Sequence, residues 1–127
     1  MADYSELMDR FRAAYISGEP DKLRTVLAPG FEWHNHYFLP SDPRPTGRVL
    51  HGIDEMMIEL LWRKENWSNV RFVGLREQFA PGLVTQTFTI SGVDRGTPFE
   101  NAAVDLYAIT DDNLIAKKDT YWKYAGG

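Results

Sequence analysis

Two periodicities divide the chain. Tyr4, Leu7, Met8, Phe11, Ala14 and Tyr15 recur at the three- and four-residue steps that bring side chains to one helical face, predicting a first helix that ends near Gly18. Asp3 followed by Glu6 reads as its capping box. Pro20 suits the first turn of a second, short helix carrying Leu23, Val26 and Leu27, and Pro29-Gly30 stops it. The aromatic run 31–38 reads as extended. Residues 39–52, with Pro40, Pro43, Pro45 and Gly47, read as loop with a short strand at 48–50. Ile53, Met56, Met57, Leu60 and Leu61 mark a third helix.

From Asn69 onward apolar and polar residues alternate, and three turn signals leave four strands, at 70–79, 83–91, 101–110 and 114–124. The separators are Pro81-Gly82, the stretch 92–98 and Asp111-Asp112-Asn113. Helices first and strands last, joined by short connections, predict an α+β fold in which helices cover one face of an antiparallel meander. No repeat, low-complexity tract or linker interrupts residues 1–127, so one domain is expected.

Composition narrows the function. The absence of cysteine excludes disulfides, thiol nucleophiles and thiolate metal sites. A formal charge of -4 offers no basic stripe for nucleic acid. No apolar run reaches membrane-spanning length and no basic start precedes an apolar stretch, so a cytoplasmic protein without membrane contact is expected. No glycine-rich phosphate loop is present. His34 and His36 have strand-compatible spacing for a metal, but the third ligand, His51, is distant in sequence and no motif supports the set, so neither metal nor organic cofactor is expected. Four Trp, six Tyr and seven Phe exceed what a core of this size needs, which points to a lined cavity. Phe11, Tyr15, Met57, Trp62, Phe88, Tyr107 and Trp122 are its expected apolar wall, and the proline-rich loop 39–47 its potential cover.

Asp105 is the first candidate for chemistry, because it interrupts Ala102-Ala103-Val104 and Leu106-Tyr107 and so puts a carboxyl group among apolar neighbours. Burial disfavours the charged form of such a group and suits it to proton transfer; pairing with a cross-strand cation is the structural alternative. A two-residue turn within Asp111-Asp112-Asn113 sets Asp105 opposite Lys118 or Thr120, whereas a three-residue loop sets it opposite Asp119. Opposed like charges are unfavourable, so the two-residue turn is expected, with Lys118 as partner of Asp105. In the run Glu32-Trp33-His34-Asn35-His36-Tyr37, strand alternation gives His34 and His36 one face and Trp33, Asn35 and Tyr37 the other. A bulge after Trp33 would let a histidine reach the cavity as general acid or base.

The first helix ending in Ala13-Ala14-Tyr15-Ile16-Ser17-Gly18, the strand Phe31-Glu32-Trp33-His34, the Gly52-Ile53 opening of the third helix and the closing hairpin Val104-Asp105-Leu106-Tyr107 to Lys118-Asp119-Thr120-Tyr121-Trp122 together resemble the nuclear transport factor 2-like superfamily, in its SnoaL-like and ketosteroid-isomerase-like branch. The resemblance covers nearly the whole chain. It implies a cone-shaped fold with N-terminal helices packed on a strongly curved antiparallel sheet. It also implies that Trp33 and Asn35 face inward and that Asp105 stands where ketosteroid isomerases keep an oxyanion-hole acid. Asn35 takes the approximate place of their proton-shuttling aspartate, and Phe11 that of their oxyanion-hole tyrosine; neither side chain can perform those roles. Limonene epoxide hydrolases carry a water-positioning asparagine in a context similar to that of Asn35.

The expectation is a small-molecule-binding pocket protein, most simply a cofactor-free acid/base enzyme of isomerase, cyclase, dehydratase or other lyase type, acting on an apolar aromatic, steroid-like or polyketide-like compound. Asp105 donates or stabilises charge, Lys118 tunes it, His34 or His36 moves a proton and Asn35 orients the substrate. Trp33 and Thr120 join the aromatic wall as substrate contacts. A noncatalytic binding module and a protein whose sheet serves association are the rivals. Val104, Leu106 and Ala108 leave the outer sheet face apolar, which predicts a homodimer through that face, with Ile115 and Tyr121 contributing.

Overall fold

Helix α1 (Ser5–Ser17) buries Leu7, Met8, Phe11 and Ala14, the stripe that the spacing predicts. The computed structural model describes residues 3–37 and 44–123. The capping box is not formed: Tyr4 occupies the N-cap without a side-chain bond. Asp3 Oδ1 instead accepts from the Ser5 amide at 3.0 Å and the Ser5 hydroxyl at 2.7 Å. Helix α2 (Pro20–Arg24) is shorter than predicted, because Val26 and Leu27 have already left it. Strand β1 (Leu27–His36) runs through Pro29-Gly30. Gly30 has φ 78° and the register against the last strand slips between Leu27 and Glu32, so this dipeptide bulges a strand instead of stopping a helix.

The order continues with β2 (Arg48–His51), α3 (Gly52–Asn66), β3 (Trp67–Ala80), β4 (Leu83–Asp94), β5 (Thr97–Ile109) and β6 (Ile115–Lys123). The stretch 92–98 separates strands less than expected, since its only turn is Arg95-Gly96; both residues have positive φ, as a tight two-residue hairpin requires. Residues 39–43 of the proline-rich loop, and residue 124, lie outside the described residues.

One six-stranded sheet runs β2-β1-β6-β5-β4-β3. The last four strands form the expected antiparallel meander, but β1 joins β6 in parallel, so the curved sheet is mixed rather than antiparallel throughout. The long chain segment between β1 and β6 supplies the crossover that parallel pairing needs. Strand β3 carries two bulges, at register slips between Ser68 and Arg71 and between Val73 and Arg76. Asn69 (φ 53°) and Gly74 (φ 71°) occupy them, and bulges of this kind bend an edge strand.

The β5–β6 hairpin departs from its predicted turn yet keeps a predicted register. Thr110 N donates to Leu114 O at 2.8 Å and Asn113 N to Thr110 O at 3.0 Å, which makes Asp111-Asp112-Asn113 a three-residue loop. That loop alone would oppose Asp105 to Asp119. Ile109 pairs Ile115 but Ala108 pairs Lys117, so Ala116 is extruded as a bulge and Asp105 moves opposite Thr120.

Helices cover the sheet face that carries Ala103, Asp105 and Tyr107. Leu7, Met8, Leu23, Phe31, Trp33 and Met56 belong to one core cluster. A second, mainly aromatic cluster joins Tyr37, Trp67, Phe99 and Trp122, with Tyr37 and Trp122 stacked at 4.3 Å. On the opposite face Val104, Leu106 and Ala108 are half-buried and Tyr121 is 42% exposed. Ile115 is not on that face: it is buried in the first cluster. No described helix is long and apolar enough to cross a membrane.

Candidate functional site

A cavity of about 130 Å³ opens between the two clusters and draws its walls from both, with Phe11, Tyr15, Trp33, Phe88, Ile90 and Trp122 among them. Its polar lining is Gln86, Asp105, Tyr107, Lys118 and Thr120, with Arg12 and Arg63. Ile16, Phe72 and Leu75 also line it and are well exposed, so its rim is apolar. A neighbouring depression of about 450 Å³ shares Tyr15, Ile16, Arg63 and Phe72 with it. Met57, expected in the wall, faces that depression instead. Trp62 lines neither; Arg44 lies over its ring at 3.4 Å and Trp67 meets it edge-on.

Strand alternation on β5 and β6 delivers Asp105, Tyr107, Lys118 and Thr120 to the cavity together. Lys118 Nζ stands 3.9 Å from Asp105 Oδ2, a loose pair for two nearly buried groups. The Tyr107 hydroxyl lies 3.2 Å from Gln86 Oε1 and 3.4 Å from Asp105 Oδ2, so its one proton serves either acceptor. Asp105 Oδ1 is buried without a hydrogen bond. Burial pushes the Lys118 ammonium down to about 8, against the pull of the Asp105 carboxylate and with the help of the Arg63 charge. Burial, reinforced by the Asp105 charge, holds the Tyr107 phenol well above its ordinary value, so it stays a neutral donor.

On β1 the bulge falls before Glu32, and regular alternation follows. Trp33 and Asn35 turn inward. The Trp33 indole donates to the Thr120 hydroxyl at 2.8 Å. Asn35 is fully buried with neither side-chain amide atom bonded, although it is not a lining residue of the cavity. His34 and His36 correct the sequence reading, since both point to the outer face. His34 Nε2 meets Glu32 Oε1 at 3.0 Å, while His36 lies 3.6 Å from Asp119 and stacks on Tyr121 at 4.6 Å. The bulge that could have turned a histidine inward sits too early in the strand, so neither ring reaches the cavity.

The apolar pattern of α3 missed the charged residues that α3 buries. Glu59 Oε1 accepts from Arg44 at 2.6 Å and Arg48 at 3.1 Å, and its Oε2 from Arg63 at 2.8 Å and Tyr37 at 3.3 Å. Burial alone would raise this carboxyl; the charges of Arg63, Arg48 and Arg44 outweigh it and hold the group below its ordinary value. Arg63 also donates to Tyr15 at 3.3 Å and Tyr37 at 3.0 Å, and lies over the rings of Trp67 and Trp33 at 4.6 and 4.7 Å. The four-residue step from Glu59 to Arg63 was the available sequence signal.

A family profile described as a SnoaL-like domain matches residues 8–118. No curated protein matches the sequence. Solved structures share the fold at low identity. An NTF2-like protein from Burkholderia xenovorans is 17% identical, with TM-score 0.78 over 94% of this chain and 88% of that one. A protein of ketosteroid isomerase-like fold from Catenulispora acidiphila, in complex with trimethylamine, is 20% identical, with TM-score 0.72 over 93% and 85%. A candidate polyketide cyclase from Streptomyces antibioticus is 16% identical, with TM-score 0.71 over 96% and 93%.

Proposed function

We propose that this chain, which belongs to the SnoaL-like domain family, is a cofactor-free acid/base enzyme of isomerase, cyclase or lyase type acting on a small aromatic or polyketide-like carbonyl compound. The observation that carries the reading is the loose, hydrogen-bond-deficient pair Asp105–Lys118 inside a mainly apolar cavity. Buried polar groups are normally saturated, and a cavity-lining carboxylate that keeps one oxygen unbonded retains the capacity to bind or move a proton of a ligand. A cavity near 130 Å³ suits one aromatic ring. Asp105 takes the proton from carbon, and Lys118 with the Tyr107 phenol offers donors to the charge that develops on oxygen. His34 and His36 have no part in it. The absence of cysteine and of any phosphate loop supports chemistry by side chains alone.

The test is hydrogen–deuterium exchange at the methyl group of acetophenone in heavy water, followed by NMR. The protein should accelerate it, and Asp105→Asn should slow the accelerated rate by roughly 10²-fold to 10⁴-fold, the usual contribution of a placed base. Acetophenone that binds without exchanging would make the chain a noncatalytic binding module.

The outer sheet face supports a proposed homodimer. Val104, Leu106 and Ala108 remain half-buried there and Tyr121 is exposed, so a second copy would cover apolar area. Sedimentation should show a dimer at micromolar concentration; a monomer throughout that range removes the proposal.

A further inference from the structure

We infer that Lys118 captures its substrate covalently, Nζ forming a protonated imine with an aldehyde or ketone whose aromatic or similarly apolar group the cavity holds; this rests on the reading of that cavity as a ligand site. Of the five lysines, Lys22, Lys64, Lys117, Lys118 and Lys123, only Lys118 is buried. Its neighbour Lys117 faces the other side of the sheet and pairs with Asp119 at 3.4 Å. Lys118 Nζ lies over Trp33 at 4.5 Å, Tyr15 at 4.7 Å, Phe11 at 5.5 Å and Tyr107 at 5.8 Å. Among the described residues no hydrogen bond fixes it, and Asp105 at 3.9 Å is its ion-pair partner.

That environment suits each stage of imine formation. Asp105 accepts a proton from the ammonium, and the neutral amine attacks the carbonyl carbon as the C=O π bond opens onto oxygen. The oxygen takes up two protons, the one held by Asp105 and one from nitrogen, and leaves as water while the nitrogen lone pair closes the C=N bond. In sum, one ammonium and one carbonyl compound give one iminium and one water, with no oxidant and no net proton. The positive charge remains on the same nitrogen, so the aromatic faces and the carboxylate that hold the ammonium also hold the iminium. The iminium then withdraws electrons from the adjacent C–H, the bond at which Asp105 acts as base.

The groups that face Nζ from the surrounding elements are Asp105 and Tyr107 of β5, Arg63 of α3, and Tyr15 of α1; Arg12 of α1 also lines the cavity and is paired with Glu77 of β3. Burial, opposed by the Asp105 charge and reinforced by that of Arg63, leaves the amine titrating near 8. At neutral pH its neutral fraction is then on the order of 100-fold above that of an ordinary lysine.

Wild-type protein treated with benzaldehyde and sodium cyanoborohydride at pH 7 tests this, read by intact mass and peptide mapping. The expected result is one benzyl group per chain, placed on Lys118 at least about 10-fold faster than on Lys117, with a rate that rises with pH through about 8. Toluene, which fills the cavity but has no carbonyl, should slow labelling at Lys118 and leave Lys117 unchanged. Lys118→Arg should abolish the fast phase. Equal labelling of all five lysines, or an unlabelled Lys118, overturns the inference. Acetophenone exchange in a protein whose Lys118 is not trapped leaves the acid/base reading standing and removes only the imine. Trapping without exchange does the reverse.

Discussion

Among the ionic groups buried in the described residues, the clusters around Glu59 and Asp105 differ in how far their groups are satisfied. Glu59 is 2% exposed and uses both carboxylate oxygens twice, toward Arg44, Arg48, Arg63 and Tyr37. Asp105 is 5% exposed, yet Oδ1 has no partner and Oδ2 has only distant ones, at 3.4 and 3.9 Å. A buried carboxylate loses much of its hydration, and several charged donors can replace it, whereas a single loose cation does not. The cluster on α3 therefore acts as architecture, tying α3 to the residues around β1 and β2. The pair on β5 and β6 stays unsaturated, the state of a site whose remaining partner is a ligand.

The sharpest way to break this comparison is to neutralise each carboxylate and measure folding. Glu59→Gln keeps the shape but leaves Arg63 and Arg48 buried without their counter-charge, so the unfolding free energy should fall by about 3 to 5 kcal/mol in a denaturant melt. Asp105→Asn should lower it by only about 1 kcal/mol, because Lys118, already displaced toward neutrality, can release its proton when its partner is lost. Equal losses would make both clusters architecture.

A second difference is pH. Glu59 titrates below its ordinary value of 4.5 in the folded chain, so its stabilisation is complete above that value and is lost as pH falls through the folded value. Lys118 acts with the same sign in a higher window: between about 8 and 10.5 the unfolded chain binds more protons than the folded one, so stability contributed at this position rises with pH across that window, by at most about 3 kcal/mol. In melts from pH 7 to 10.5 the unfolding free energy of wild type should rise relative to that of Lys118→Met across that window. Parallel curves would show that Lys118 titrates as an ordinary lysine.

The sequence disclosed these regions unequally, for physical reasons. Alternation over β5 and β6 was enough to bring Asp105, Lys118 and Thr120 to one face, because register errors of two residues leave the face unchanged. The turn itself is not legible: like-charge repulsion excludes the register that opposes Asp105 to Asp119, but a bulge at Ala116 avoids it as well as a shorter loop does. His34 and His36 suit acid/base chemistry by residue type, but alternation puts them on the face opposite Trp33. The apolar positions of α3 alone give no sign of Glu59 and Arg63, a charged pair that is buried by mutual satisfaction. Ile58 and Leu61, apolar on the same helix, are exposed.

The smallest predicted effect concerns Asn35, which resembles Asp105 in burial and in lacking partners but carries no charge. Both amide atoms are enclosed without a hydrogen bond, beside Thr120 in the parallel register of β1 and β6. A desolvated amide that bonds to nothing in the folded state gives up its water bonds without return, so an apolar residue of similar shape relieves that penalty. Asn35→Leu should therefore raise the unfolding free energy by about 1 kcal/mol in a denaturant melt. If Asn35 is instead held by a buried water, the substitution removes real hydrogen bonds and lowers stability by a similar amount. A gain in stability accompanied by weaker acetophenone binding would group Asn35 with Asp105, as a side chain left unsatisfied for a ligand. A loss would move it to the saturated class that Glu59 represents.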